Sequence, residues 1–203
     1  MLRFGKILIA LCISFFVLSS TLYAEGKQHP AGQATAQLLD LIKQIGDKSS
    51  KTPDEISKLC HLALNYMDMK FISQKVLEKH RDKLSAKEQE QFQNLLSDLF
   101  IHVAFPNSGK FFSGLDIHFE KTFQDKTIAT TPVLVVHKDE GEVDIEFKLQ
   151  LTNEKWKVID VDLDGISMRN NLRSQIYKIL QTDDFAELSR RMTKKLDEAK
   201  NES

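Results

Sequence analysis

The sequence predicts an α+β protein, with a strongly curved four-stranded antiparallel sheet covered on one face by helices from both ends of the chain. The spacing of apolar residues carries this prediction. They recur every three or four positions from about Ala31 to Ala104 and every second position from Phe111 to Leu163; the helical spacing then returns. The sheet therefore lies between two helical regions.

The first 24 residues are typical of a secretory signal peptide. Arg3 and Lys6 precede an apolar run over residues 7–18, and Ala24 offers a small residue at the cleavage position. The run is short for a transmembrane helix, although an uncleaved N-terminal anchor is the alternative. We expect a signal peptide at 1–24 and one exported domain at 25–203.

The net charge and the cysteine content limit the classes of function that the sequence is compatible with. Cleavage would remove two basic residues, making the formal net charge of −1 more negative and leaving no strong basic field for nucleic acid or an anionic membrane. Cys60 would then be the only cysteine, so no intrachain disulfide is expected. Because Cys60 lies on an apolar helical stripe, a core position is favoured over a nucleophile.

The N-terminal helices have recognisable boundaries. The first helix is expected to end near Gly46. The second begins at a capping box in which Thr52 is the N-cap, Pro53 the first helical residue and Glu55 the reciprocal partner. A break is expected before Lys70.

Further helices follow the same rules. Ser85 and Glu88 form a second capping box, and the helix that it opens is expected to end at Pro106–Gly109. Two C-terminal helices come after the sheet. The last of them is expected to begin at Thr182.

Four strands are predicted from alternation. The first is centred on Ile117, and the third, at 142–152, alternates apolar and polar residues without interruption. The second, Ile128–His137, contains Pro132, which indicates an edge or a bulge. The fourth is Lys155–Leu163. Tight turns at 152–154 and at 139–141 join the last three, so the pairing is antiparallel.

The segment DVDLDGIS resembles the opening of an EF-hand loop, with Asp160, Asp162, Asp164 and Gly165 in the expected order. Position twelve of such a loop carries a bidentate glutamate, but here it falls on Asn171. The segment therefore favours the end of a strand, with its aspartates on the solvent side.

The apolar residues of the same strand change phase. Trp156 and Val158 are expected on one side, and Ile159, Val161 and Leu163 on the other. The sequence therefore predicts that these two groups of apolar residues lie on opposite faces of the last strand.

Motifs for catalysis and metal binding are missing from the sequence. His61, His102, His118 and His137 lack zinc-ligand spacing, and no nucleophile elbow, P-loop or dinucleotide-binding turn occurs. No cofactor or metal is expected. The alternative is an enzyme or small-ligand binder of NTF2-like cone shape, using a His or Asp in its cavity, because such a site leaves no linear motif.

The apolar composition allows two interpretations. The chain has 13 phenylalanines and 5 methionines but one tryptophan. An ordinary core uses such residues, and so does a flexible cavity that houses an alkyl chain. Composition alone does not separate these interpretations.

Three segments resemble the MlaC family of periplasmic phospholipid-binding proteins, also called the toluene-tolerance auxiliary family. In WKVIDVDLDGISMRNNLRSQI, residues 156–176, the family pattern W-K-V-x-D-V-x-x-x-G-x-S is followed by N, R and S-Q. Leu172 replaces the usual tyrosine and Ile176 the usual phenylalanine, which indicates a divergent member. Residues 83–100 and the final helix are similar to further family segments.

The resemblance implies a periplasmic carrier that shuttles phospholipid between the outer and inner membranes and so maintains lipid asymmetry. Its implied partners are an outer-membrane lipoprotein–porin complex and an inner-membrane MCE-domain ABC transporter. The resemblance implies no enzymatic activity and no cofactor.

The inner sheet face and the predicted helix that begins at Ser85 supply the predicted lipid-binding residues. They are Leu96, Phe100, Val103, Phe119, Val143, Ile145, Phe147, Leu149 and Val158. Each is equally compatible with a plain core position, because alternation predicts burial alone. For Arg173, we favour a structural ion pair with Asp160 or Asp164 over contact with a lipid headgroup.

Overall fold

The computed structural model describes residues 26–137 and 141–201. The predicted signal peptide, residues 1–24, and most of the predicted turn at 139–141 lie outside these ranges. Among the helices that are described, none has the length and apolar character needed to cross a membrane.

The helices precede and follow the sheet, as the spacing of apolar residues predicts. Numbered in chain order, they are α1 Pro30–Gly46, α2 Pro53–Leu64, α3 Met69–Leu77, α4 Ala86–Leu99, α5 Phe105–Phe112, α6 Met168–Thr182 and α7 Phe185–Asn201. Short 3₁₀ helices follow α1 and α3, at Lys48–Ser50 and Glu78–Lys83. A π-helical segment, Phe100–Ala104, joins α4 to α5.

Both predicted capping boxes are confirmed. The Thr52 hydroxyl accepts from the Glu55 backbone N–H at 3.3 Å, and the Glu55 carboxylate accepts from the Thr52 N–H at 2.8 Å. Ser85 and Glu88 exchange the corresponding bonds at 3.3 and 2.7 Å. Each box satisfies N–H groups that the first helical turn leaves without partners.

The predicted helix end at Pro106–Gly109 is wrong. The chain passes from α4 through the π-helical segment into α5, which contains all four of these residues. A proline is tolerated in the first turn of a helix, where its missing N–H removes no helical bond. The π-helical segment restarts the α-helical register at Phe105 and so places Pro106 in that first turn.

The last helix begins at Phe185, and the predicted start at Thr182 is wrong because Thr182 ends α6. Asp184 acts as the cap of α7, since its side chain accepts from the Glu187 N–H at 3.0 Å. Both residues can cap a helix, and the local sequence did not distinguish between them.

The sheet is antiparallel, with strand order β1-β3-β4-β5-β6 and β2 paired to β3 beside β1. Its strands are β1 Asp116–Phe119, β2 Phe123–Asp125, β3 Ile128–His137, β4 Gly141–Thr152, β5 Lys155–Leu163 and β6 Ile166–Ser167. The predicted curved α+β fold is confirmed, but the described sheet has six strands where four were expected. The additional strands are β2 and β6, which are too short to show alternation.

A β-bulge in β5 explains the change of phase in its apolar residues. The pairing shifts between Lys148 and Leu149, so that one side of the bulge pairs Phe147 with Val161 and the other pairs Leu149 with Val158. Phe147 and Leu149 lie on the same face of β4, and their partners therefore face the same side. The prediction that Val158 and Val161 face opposite sides of the sheet is therefore wrong.

The inner face of the sheet packs against the helices. Alternate residues of β3, such as Ala129, Val133 and Val135, are at most 2% exposed. The adjoining helices α1 and α5 cross closely at two glycines, where a Cβ added to Gly109 would lie 2.8 Å from the Cα of Gly46. This close crossing fixes α5 against α1, and α1 in turn packs against β3 and β5.

Candidate ligand cavity

A cavity of about 520 Å³ lies between the inner sheet face and the helices. Its wall combines side chains of α1, the connection between α2 and α3, α3, α5, α6, the π-helical segment, β4 and β5. They are Leu38, Ile42, Met67, Ile72, Phe100, Ala104, Phe105, Asn107, Ser108, Phe111, Phe112, Phe147, Ile159, Asp160, Val161, Leu163, Met168, Arg169 and Leu172. Phe111 is 45% exposed, which marks the place where the wall meets solvent.

The wall is overwhelmingly apolar. Its aromatic members come from the π-helical segment, α5 and β4. Its methionines, Met67 and Met168, have flexible side chains that can adapt to the shape of a bound ligand. Four polar residues interrupt it, namely Asn107, Ser108, Asp160 and Arg169. Such a wall suits an apolar ligand with few polar contacts.

Asp160 is 4% exposed, and its carboxylate is fully engaged with protein donors. One oxygen accepts from the N–H groups of Val161 and Arg169, at 2.9 and 3.0 Å, and the other accepts from the Ser167 hydroxyl at 2.6 Å. Strand β6 and the start of α6 fold back to supply two of these donors. The prediction that this aspartate faces solvent is therefore wrong.

Arg169 completes this arrangement. Its guanidinium lies 3.4 Å from Asp160, donates to the Ile159 carbonyl at 3.3 Å and lies 5.6 Å from the ring centre of Phe71. These contacts hold the first turn of α6 against β5 and against α3. The pair therefore presents little unmatched charge to the cavity.

Arg173 lies one turn further along α6 and pairs elsewhere. Its guanidinium donates to Glu78 at 2.9 Å, so the predicted partners Asp160 and Asp164 are wrong, although the role is a structural ion pair. Asp160 is instead paired with Arg169, because the N-terminus of α6 comes back over β5 before the helix turns away.

The EF-hand resemblance does not correspond to a metal site among the described residues, where no three His, Cys, Asp or Glu side chains are grouped to hold an ion. Asp162, which is 9% exposed rather than solvated, pairs with Lys148 at 2.5 Å, and this hydrogen bond raises the pKa of Lys148. Asp164 and Gly165 have positive φ and form the turn into β6.

Two of the nine predicted lipid-binding residues line the cavity. Phe100 contributes from the π-helical segment and Phe147 from β4. The others are buried or partly buried in the core away from this wall; they are Leu96, Val103, Phe119, Val143, Ile145, Leu149 and Val158. Lipid contact stays a prediction for all nine.

Sequence reasoning missed most of the helical wall. Leu38 and Ile42 belong to the apolar stripe of α1, and their spacing had already indicated burial. Phe111 and Phe112 lie at the end of α5, where the spacing of apolar residues predicted the start of the sheet region. What the sequence lacked was the direction of each helix across the sheet, which decides which buried residues border an open space.

This architecture defines an α+β binding protein with an apolar cavity. The chain belongs to the MlaC family, because the family profile described as MlaC protein matches residues 32–194. The resemblance stated from the sequence is thereby confirmed.

A solved structure shares the fold at low sequence identity. It is the phospholipid-binding protein from Ralstonia solanacearum in complex with a phospholipid, with a TM-score of 0.68 and 16% identity over 88% of this chain and 98% of that chain. A search of curated proteins gave no match. Membership of the MlaC family points to a binding or transport protein rather than to an enzyme.

Proposed function

We propose that this protein binds the acyl chains of a phospholipid in the cavity and carries the lipid across the periplasm between the outer and inner membranes. The observation that carries the proposal is the apolar cavity of about 520 Å³ that meets solvent at Phe111. Membership of the MlaC family and the phospholipid-binding neighbour support the same ligand class.

The energetics of transit explain why such a cavity is needed. At about 0.8 kcal/mol per methylene, exposing two tails of about thirty methylenes to water would cost on the order of 20 kcal/mol. A carrier lowers this cost by covering the tails, while the charged headgroup stays in water because its burial is expensive. Asp160 and Arg169 neutralise each other and so impose little electrostatic penalty on the tails.

The cellular setting follows from the same proposal. Residues 1–24 act as a signal peptide, and residues 25–203 form the exported domain. The carrier would collect or deliver lipid at an outer-membrane lipoprotein–porin complex and at an inner-membrane MCE-domain ABC transporter. The proposed benefit to the cell is an asymmetric outer membrane.

The geometry gives less support to an NTF2-like enzyme. No histidine is among the residues that line the described cavity, and its one carboxylate, Asp160, accepts three hydrogen bonds and faces a guanidinium. A general base needs a free lone pair within reach of the substrate. Asp160 is instead placed to hold α6 onto β5.

Native mass spectrometry of the protein purified from its own periplasm tests the proposal. We expect the folded protein to carry a diacyl phospholipid that is identified after release. Consistently empty protein, or protein loaded with a small polar metabolite, would contradict the proposal.

A variant connects the lipid to this cavity. Ala104→Trp would fill part of the space, since Ala104 lies on the wall beside Phe100 and Phe105. Ala86→Trp, at the exposed start of α4, is the matched control. We expect the first variant to lose most of its lipid and the control to retain it; equal loading of both would place the lipid elsewhere.

A further inference from the structure

We propose that a second cleft, on the other side of the π-helical segment, binds a single-chain amphiphile with one anionic headgroup. This basic cleft has a volume of about 390 Å³ and lies between α2, α7 and the π-helical segment. It is lined by Lys48, Lys51, Pro53, Ile56, Ser57, Cys60, Ile101, His102, Pro106 and Lys200. None of these residues borders the apolar cavity between the inner sheet face and the helices, which we call the main cavity.

Unpaired lysines give the basic cleft its affinity for an anion. Within residues 26–137 and 141–201, neither Lys48 nor Lys200 forms an ion pair. Lys51 lies 3.5 Å from Asp47 and is therefore partly neutralised. Two ammonium groups on the rim thus remain for a ligand, and they belong to elements far apart in sequence.

The charges reach the inner part of the cleft. The Cys60 thiol lies at its base, 2% exposed, and burial raises the pKa of this thiol while Lys48 opposes the effect. Burial lowers the pKa of His102, and Lys200 lowers it further. Lys48 and Lys200 therefore act electrostatically on two different residues of the same cleft wall.

Other charged groups leave the field positive. Asp98 and His61 also influence His102, with opposite effects on its pKa. Glu55, at the start of α2, is occupied by its capping bonds to Thr52. The negative groups near the cleft thus already have partners or lie off its wall, whereas Lys48 and Lys200 line it.

The floor specifies an apolar body for the ligand. Ile56, Ile101, Pro53 and Pro106 provide hydrocarbon surface below the lysines. A free inorganic anion would leave this surface uncovered, whereas an alkyl chain would cover it and gain the free energy of apolar burial. A ligand with one charged headgroup and one alkyl chain would contact both the lysines and this hydrocarbon surface.

The π-helical segment makes the cleft a site separate from the main cavity. Phe100 and Ala104 face the main cavity, and Ile101 and His102 face the basic cleft. The same short segment therefore forms a common wall between two spaces. The second ligand can bind while the main cavity is full.

Methyl NMR of isoleucine-labelled, phospholipid-loaded protein tests the proposal, because the two spaces have different isoleucines. Ile56 and Ile101 report on the basic cleft, and Ile42, Ile72 and Ile159 on the main cavity. The probes are decanoate and decyl phosphate, which differ in headgroup, with decanol and inorganic phosphate as controls. We expect saturable shifts of Ile56 and Ile101 with one or both charged probes.

Matched variants separate the site from general electrostatics. Lys48→Gln combined with Lys200→Gln should weaken binding about tenfold, because two charge contacts are lost. Lys194→Gln combined with Lys195→Gln removes two exposed charges from the same helix α7, outside the cleft, and should leave binding unchanged.

Several results would overturn the proposal. One is that neither charged probe shifts Ile56 and Ile101, or that only the main-cavity isoleucines respond. Decanol binding as tightly as the charged probes would remove the role of the lysines, and inorganic phosphate binding as tightly would remove that of the alkyl chain. Equal weakening by both double variants would indicate attraction by net charge alone.

Discussion

Arg169 is bound to Asp160 twice, through its backbone N–H at 3.0 Å and through its guanidinium at 3.4 Å. A single residue thus joins the first turn of α6 to β5 by both main chain and side chain. Because Asp160 and Arg169 both line the main cavity, this junction also shapes the wall against which a ligand would pack.

Asp160→Asn should destabilise the protein by about 3 kcal/mol, since it removes the negative partner of a largely buried arginine and one acceptor of the Ser167 hydroxyl. Urea denaturation measures the loss. Asp164→Asn is the control: its amide oxygen still accepts from the Asp144 N–H, and asparagine tolerates the positive φ. A change below about 1 kcal/mol for Asp160→Asn would show that the carboxylate is dispensable.

The two arginines of α6 should differ in their contribution to stability. Arg169→Gln loses a pair with a buried carboxylate and should lower the free energy of unfolding by about 2 kcal/mol. Arg173→Gln loses an exposed pair with Glu78 and should cost at most about 1 kcal/mol. Chemical denaturation of both variants under identical salt checks the order; the reverse order would refute the assignment.

Gly109→Ala should destabilise the crossing of α1 and α5 by about 2–3 kcal/mol. The added Cβ would lie 2.6 Å from the Gly46 nitrogen and 2.9 Å from the Ile42 carbonyl oxygen, so the helices would have to separate. The better helix propensity of alanine, about 1 kcal/mol, does not offset this. Lys110→Ala, at an exposed neighbouring position, should be nearly neutral in the same unfolding assay. Unchanged stability of Gly109→Ala would mean that the crossing is loose.

Cys60 should make the protein less stable in alkali. Burial raises the pKa of its thiol from 9.0 to about 11, so between these values the folded state keeps a proton that the unfolded state has lost. The free energy of unfolding therefore falls as pH rises through this window. Comparing the pH dependence of the wild type and Cys60→Ala isolates the thiol from the lysines. Parallel curves would show that the thiol ionises equally easily in both states.

Local features of the fold were predictable from the sequence. Both capping boxes and the four predicted strands depend on residues within one or two turns or along one strand, and they appear as expected. Thr182 and Asp184 show the limit of local information, since either can cap a helix and only the packing of Phe185 into the core selects the second.

Partners far apart in sequence were not predictable. The bulge beside Leu149 is set by how β5 pairs with β4, and it turned two apparent faces of β5 into one. Arg169 gave no more signal in the sequence than Arg173, yet only Arg169 lies over Asp160.

Cavity residues were the hardest to predict. Phe147 and Leu149 alternate on the same strand face and are both buried, but only Phe147 borders the open space. Alternation gives the direction of a side chain relative to the sheet. It does not say whether a helix fills the space above it.

The π-helical segment at 100–104 amounts to one extra residue in an otherwise α-helical run. Deleting one residue there would turn α5 by about 100° relative to α4. Phe105, now 3% exposed on the cavity wall, would rotate away from it. The helical phase set by that single residue thus decides which side chains line the main cavity and which line the basic cleft. A one-residue change in length would redistribute these side chains between the two spaces without altering any strand of the sheet.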